Sequence, residues 1–119
     1  MRNSPKDLRA KIFGKRGEQL ACTYLKKRGY RILERNYKTD VGEADIIAYK
    51  DGIYAFVEVK ARASDAYGLP SEAVTKEKQR KYRRIAQLYC VQCGQELPIR
   101  FDVASYLDGE IDYIENAFY

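Results

Sequence analysis

An Asp51-Gly52 pair stands between two runs of strand-forming residues and constrains the fold more than any other feature of the sequence. Aspartate followed by glycine favours a two-residue type I′ turn, which joins neighbouring antiparallel strands. A turn of this kind fixes the register of the hairpin, so Asp45 is expected to lie directly opposite Glu58. Two like charges would then face each other with their Cβ atoms about 4.5 to 5.5 Å apart, an arrangement that destabilises a hairpin unless a cation is present.

The remaining pattern predicts a single α/β domain, which also suits the length of 119 residues. Apolar residues recur at helical spacing in two segments, and the other segments alternate like strands. We expect helices at 16–28 and 71–92, and strands at 30–37, 43–50, 53–62, 98–107 and 110–114.

The order α-β-β-β-α-β-β indicates a mixed sheet flanked by helices. Residues 1–13 are expected to form a flexible basic arm before a domain at 14–119.

The sequence contains no histidine, and this absence excludes Ser-His-Asp and Cys-His nucleophile pairs as well as histidine metal centres. Any catalysis has to use carboxylates, lysine, tyrosine or thiol. The net charge of +5 divides into +10 over residues 1–84 and −5 over residues 85–119. A basic surface predicts a polyanionic partner such as nucleic acid. The acidic end either packs beside that surface or engages a partner of its own.

Neither a membrane segment nor a zinc site is indicated. The longest apolar run, at 53–57, has five residues, whereas about 18 are needed to span a bilayer; we expect a cytoplasmic protein with no membrane partner. Cys90 and Cys93 form a Cys-x-x-Cys pair, but with only Cys22 left and no histidine the four ligands of a structural zinc are not available. Buried or half-buried reduced thiols are the better interpretation.

Lys60 follows Glu58 by two residues, so on a strand both side chains point to one face. With Asp45 opposite, two carboxylates and one ammonium would lie together. Carboxylate oxygens suit Mg²⁺ or Mn²⁺, and such an ion polarises a phosphodiester and lowers the pKa of a bound water. Lys60 could orient that water or offset charge on phosphorus. Alternatively, the three side chains line a solvated face of the sheet.

Six of the nine residues from 76 to 84 are basic. They lie in the first half of the second predicted helix, where the helix dipole disfavours cations, so a phosphate-contacting surface is one interpretation and a solvated helix face is the other. Arg62, at the end of the third strand, and Tyr67, in the following loop, are further candidate nucleic-acid contacts. The basic residues of the helix are Lys76, Lys78, Arg80, Lys81, Arg83 and Arg84.

Six blocks of sequence carry a resemblance to a known family. They are GKRGE at 14–18, RNY at 35–37, GEAD at 42–45, FVEVKAR at 56–62, YGLPSEAV at 67–74 and RFDV at 100–103. Together they resemble the YraN family of small bacterial endonuclease-like proteins, and the resemblance runs from about Gly14 to Phe118. That family is similar to the PD-(D/E)xK restriction-endonuclease superfamily, close to archaeal Holliday-junction resolvases.

The resemblance implies a restriction-endonuclease-like fold with Asp45 and Glu58 as metal ligands and Lys60 as the catalytic lysine. It also implies that Glu18, on the first helix, contributes a further acidic group. The implied activity is Mg²⁺-dependent hydrolysis of phosphodiester bonds in DNA, including branched or structured DNA, and symmetric cutting of two strands would call for a homodimer. Two alternatives stay open: a nucleic-acid-binding or partner-binding module that does not cut, and a structural subunit.

Overall fold

A computed structural model describes residues 5–61 and 74–119, with side chains from residue 15 onwards, as a five-stranded mixed sheet with two helices. The strands are ordered β1-β2-β3-β4-β5, and β3 and β4 form a parallel pair. The predicted α/β class and the order α-β-β-β-α-β-β are confirmed. The elements are α1 (Pro5–Lys27), β1 (Arg31–Thr39), β2 (Gly42–Lys50), β3 (Ile53–Ala61), α2 (Lys76–Cys93), β4 (Ile99–Leu107) and β5 (Glu110–Phe118).

The predicted hairpin between β2 and β3 is confirmed. Asp51 and Gly52 both have positive φ values, 52° and 83°, as a type I′ turn requires. The strands pair in the predicted register as far as Ile46 opposite Val57. The turn therefore brings residues 45 and 58 to the same end of the paired segment.

Three predicted boundaries were wrong. Helix α1 begins at Pro5 rather than near residue 16, so the backbone of 5–13 is helical; proline is favoured in the first turn because it has no N–H to satisfy there. Helix α2 begins at Lys76 rather than near residue 71, because Thr75 is its N-cap and accepts the N–H of Lys78 at 3.1 Å. Strand β5 continues to Phe118 through an irregular register beside Asn116. The division into an arm at 1–13 and a domain at 14–119 stays a prediction.

The two helices pack on opposite faces of the sheet. On one face, Leu25 of α1 lies in a buried cluster with Ile46 and Val57. On the other face, Tyr82 and Ile85 of α2 lie in a buried cluster whose sheet residues include Ile47 and Phe56. Alternate residues of β2 and β3 thus face alternate helices. Within the described part of the chain, neither helix is long and apolar enough to cross a membrane.

Asp102 of β4 is fully buried and is surrounded by donors. Arg100 donates to both of its carboxylate oxygens, at 2.9 and 2.8 Å. The Tyr113 hydroxyl donates to Oδ2 at 2.5 Å, and the backbone N–H of Asn116 donates to Oδ1 at 2.9 Å. Burial, followed by the charge of Asp102, raises the pKa of Tyr113, so that hydroxyl keeps its proton. Asp102 is a structural group that ties β5 to β4 where their register shifts.

The three cysteines are free thiols with different degrees of exposure. Cys22 is buried. Of the Cys-x-x-Cys pair, Cys90 is half-buried, as predicted, but Cys93 is exposed near the end of α2. Gly94 follows with a φ of 74° and caps the helix, as its position after the amphipathic pattern predicts.

Candidate active site

The carboxylates of Asp45 and Glu58 lie together where the paired segment of β2 and β3 ends. Asp45 is half-buried and its Oδ2 accepts the N–H of Val59 at 2.8 Å, whereas Glu58 is 2% exposed. Burial and then the charge of Glu58 raise the pKa of Asp45 to about 7, against the lowering effect of the Val59 N–H. The ionised form of the pair is therefore unfavourable unless a proton or a cation lies beside it.

Helix α2 supplies one group to each oxygen of Glu58. Lys78 Nζ lies 2.8 Å from Oε1, and the Tyr82 hydroxyl donates to Oε2 at 2.6 Å. The same hydroxyl accepts the N–H of Asp45 at 3.3 Å. Burial, reinforced by the two carboxylates, raises the pKa of Tyr82 well above its ordinary value, so the hydroxyl is a permanent donor. Tyr82 thus fixes the side chain of one carboxylate and the backbone of the other.

Sequence reasoning placed these two helical residues differently. The ring of Tyr82 is buried, as its place in the amphipathic pattern of α2 predicts, but that pattern gives no sign of the hydroxyl contacts. Sequence reasoning assigned Lys78 to the phosphate-contacting surface, whereas the ammonium faces Glu58. Burial lowers the pKa of Lys78, but the hydrogen bond and charge of Glu58 and the charge of Asp45 outweigh it and the pKa is raised. The spacing of four residues between Lys78 and Tyr82 is the signal that places both on one helix face.

Lys60 lies on the same face of β3 as Glu58. The intervening Val59 points towards α1, since a Cβ at Gly17 would come within 3.3 Å of its side chain, and neighbouring residues of a strand point the opposite way. Lys60 is half-buried and pairs in register with Ser105 of β4. The hydroxyl of Ser105 is buried and has no hydrogen-bond partner among the described residues. The predicted grouping of Lys60 with Glu58 on one face agrees with this arrangement.

Glu18 belongs to α1, which packs on the face of the sheet opposite to α2. It contacts residues of β1 instead of the carboxylate pair. Its carboxylate is 3.9 Å from Arg35 Nη2. With the amide of Asn36 oriented to donate, its nitrogen lies 3.0 Å from Glu18 Oε1 and 2.8 Å from Glu43 Oε1. Glu18 is near enough to add a minor contribution to the raised pKa of Asp45. Glu18 therefore lies close to the pair of Asp45 and Glu58, but its own partners are residues of β1.

Asn36 was missed by sequence reasoning, although it lies in the RNY block. Its φ is 53°, a left-handed conformation that asparagine tolerates better than most residues. In the β1–β2 ladder it falls between Arg35, opposite Ile46, and Tyr37, opposite Ala44, which places it beside Asp45. The residue type and its backbone conformation together are the signal that could have identified it.

The donor set suits a hard divalent cation. Asp45 and Glu58 provide two carboxylates as candidate ligands, and within the described ranges no three side chains of the acidic, thiol or imidazole type gather into a metal-binding group. Mg²⁺ commonly takes one or two protein carboxylates and completes its coordination with water and substrate oxygens. A cleft of about 350 Å³ opens beside the pair and is lined in part by Glu43, Lys78 and Lys81. The residues present therefore fit such an ion.

The basic residues of α2 do not form one uniform surface. Lys76, Arg80 and Arg84 are exposed, and Lys81 is exposed with its ammonium 3.7 Å from Glu77.

Arg83 is half-buried and donates to the backbone carbonyl of Tyr119. The guanidinium of Arg83 therefore holds the end of β5 against α2, and its contact with nucleic acid stays a prediction. The predicted contacts Arg62 and Tyr67 lie outside the described residues. The exposed candidates for phosphate contact are Lys76, Arg80, Lys81 and Arg84.

Comparison with known proteins gives a consistent family. The model of "Uncharacterised protein family UPF0102" matches residues 17–106. A UPF0102 protein of Alkaliphilus metalliredigens is 49% identical over 92% of this chain and 99% of its own, and one of Thermodesulfovibrio yellowstonii is 45% identical over 89% and 95%. A solved structure of Pyrococcus furiosus SfsA in complex with Ca²⁺ matches 92% of this chain and 63% of that one at 18% identity and a TM-score of 0.25, a likeness too weak to establish a shared fold. The resemblance to the YraN family is confirmed, and the chain belongs to the UPF0102 family.

Proposed function

We propose that the protein is a Mg²⁺- or Mn²⁺-dependent nuclease that hydrolyses phosphodiester bonds of DNA, with branched or structured DNA as its substrate class. The observation that carries this proposal is the pair of half-buried Asp45 and buried Glu58, with Lys60 on the same face of the sheet. Burial and the charge of Glu58 raise the pKa of Asp45, and functional sites are where such arrangements concentrate.

Each residue has a distinct role in this proposal. Asp45 and Glu58 would hold the ion, which when bound supplies polarisation of the phosphodiester and a lowered pKa for a bound water. Tyr82 holds Glu58 Oε2 and the backbone of Asp45, and the N–H of Val59 holds the carboxylate of Asp45. Lys60 orients the attacking water or offsets negative charge on the phosphorus. A homodimer would allow two strands to be cut symmetrically.

A cleavage assay tests the proposal. Linear, flapped and four-way DNA are incubated with Mg²⁺ or Mn²⁺, and the variants Asp45→Ala and Lys60→Ala are expected to lose cleavage. The matched controls Asp112→Ala and Lys38→Ala remove an exposed acid of β5 and an exposed lysine of β1, and they are expected to retain it. Cleavage that survives in either site variant would come from another source and would refute the assignment.

The exposed arginines of α2 are the proposed phosphate-binding surface. The double variant Arg80→Ala/Arg84→Ala is compared with Lys26→Ala/Lys27→Ala, which removes the same charge from the exposed end of α1. In a plot of log affinity against log salt for duplex DNA, each phosphate contact contributes a slope of about −0.9. The α2 variant should flatten this slope by about 1.8 and the α1 variant should leave it unchanged. Equal changes of the salt slope in the two double variants would mean that the arginines of α2 affect DNA binding only through the net charge of the protein.

A non-cutting nucleic-acid-binding module is the second candidate, and one observation favours it. Lys78 already neutralises Glu58, so the pair has a cation without any metal. Calorimetry distinguishes the two candidates. Salt-sensitive DNA binding without uptake of Mg²⁺ or Mn²⁺ would support the binding module, and metal uptake that is lost in Asp45→Ala would support the nuclease.

A further inference from the structure

The oxygens of the carboxylate pair differ in what they contact. Glu58 Oε2 accepts from the Tyr82 hydroxyl, and Asp45 Oδ2 accepts from the N–H of Val59. Glu58 Oε1 is the oxygen that faces a cation, and that cation is the ammonium of Lys78 at 2.8 Å. A divalent ion bound between the two carboxylates would need the oxygen that Lys78 now holds.

Of the two α2 groups on Glu58, only Lys78 has room to move. Tyr82 is 1% exposed, and its ring packs edge-on against Phe118 with the ring centres 6.1 Å apart. The side chain of Lys78 is 44% exposed and lies on the wall of the 350 Å³ cleft. The lysine can therefore leave Glu58 by rotating into the cleft, whereas the tyrosine cannot leave without disrupting the core.

An ammonium and a divalent cation would not share this oxygen. Mg²⁺ binds carboxylate oxygens at about 2.0 to 2.1 Å, inside the 2.8 Å separation that Lys78 Nζ has from Glu58 Oε1. Their mutual repulsion in a partly buried site is several times what it would be in bulk water. The repulsion makes the two cations competitors for Glu58 Oε1, so that binding of a divalent ion favours release of the ammonium.

We propose that Lys78 is a built-in counter-ion that holds the position of the divalent ion in the metal-free protein. Metal binding displaces its ammonium into the cleft, where it becomes a phosphate ligand for nucleic acid. This inference rests on the proposed function for the identity of the metal ligands. The affinity of α2 for phosphate then depends on whether the metal is bound.

Calorimetric titration with Mn²⁺ at about pH 8 tests the displacement without any cleavage. Lys78→Met removes the competing charge and keeps an unbranched side chain, and it is expected to bind Mn²⁺ about tenfold more tightly, as loss of one charge-assisted contact implies. Lys78→Arg keeps the charge and is expected to stay as weak as the natural protein. Lys27→Met is the matched control, because it removes the same charge from the exposed end of α1, outside the cleft; its affinity for Mn²⁺ should not change.

The outcomes separate this inference from the proposed function. Equal Mn²⁺ affinity in the natural protein and in Lys78→Met would overturn the displacement and leave the nuclease proposal standing. If neither binds Mn²⁺, the proposed metal site fails and the displacement fails with it. Uptake only by Lys78→Met would support the displacement and argue against a metal-loaded natural enzyme.

Fluorescence anisotropy with labelled DNA tests the second half of the inference. In the natural protein, addition of Ca²⁺ is expected to steepen the salt slope by about 0.9, one further phosphate contact. The slope of Lys78→Met should not steepen, whereas that of Lys27→Met should, which corrects for the effect of the divalent ion on the DNA itself. An identical metal-dependent change in all three proteins would overturn the phosphate role of Lys78.

Discussion

Replacement of Asp45 by asparagine should stabilise the metal-free protein, and the gain should depend on pH. The pKa of Asp45 is about 7 in the folded protein, against 3.8 for an ordinary aspartate. The folded state therefore holds this proton more tightly than the unfolded state, and stability is lost as pH rises from about 4 to about 7. Between about pH 5 and about pH 8 the loss amounts to about 3 kcal/mol.

The Asp45→Asn substitution would keep the local contacts without an ionising group, because the new amide oxygen can accept the N–H of Val59 and the amide nitrogen can donate to Glu58. Urea unfolding in the presence of a chelator, followed by circular dichroism, gives the free energy of unfolding at both pH values. The difference between Asp45→Asn and the natural protein should be about 3 kcal/mol more favourable at about pH 8 than at about pH 5. Asp112→Asn, on an exposed position of β5, should show no such pH dependence. A stability difference that is the same at both pH values would refute the reasoning.

Three further substitutions test contacts in the fold and the site. Asp102→Asn removes the buried carboxylate from the partly buried Arg100 and leaves it only the exposed Glu115, at 4.0 Å; it should lower the free energy of unfolding by about 3 to 5 kcal/mol in thermal or urea unfolding, and a loss below about 1 kcal/mol would contradict this role. Tyr82→Phe removes the hydroxyl that donates to Glu58 and should cost about 2 kcal/mol near neutral pH, and an unchanged urea midpoint would show that the bond contributes nothing. Ser105→Ala removes a buried hydroxyl without a partner in the described part of the chain and should raise stability by about 1 kcal/mol; a lower melting temperature would indicate a partner.

The carboxylate pair could be predicted because its geometry is local. The Asp51-Gly52 turn sets the register of a hairpin, so residues 14 positions apart in β2 and β3, such as Asp45 and Val59, come into contact through the turn alone. The same applies to Lys60, whose face follows from strand alternation. The spacing of apolar residues and the type of turn are properties of short segments, so both can be predicted from a single sequence.

The partners on α2 could not be predicted in the same way. Whether Lys78 and Tyr82 reach Glu58 depends on the rotation of α2 about its axis and on how the chain crosses from β3 to the parallel β4. Neither is fixed by the amphipathic pattern, which gives the buried face but not its alignment with particular sheet residues. Glu18 was connected to the site only by resemblance, because no local rule places a residue of α1 beside a hairpin.

The local character of the β2–β3 hairpin also affects the order in which the molecule assembles. Hairpins with tight turns form within microseconds, whereas a parallel pair such as β3 and β4 must first close a longer loop. We therefore expect Asp45 and Glu58 to come together before α2 delivers its ammonium and hydroxyl. In that order, the repulsion between the two carboxylates acts on the early stages of folding, and its relief comes when the helix docks. A single pair of carboxylates would thereby oppose the formation of the hairpin that positions it.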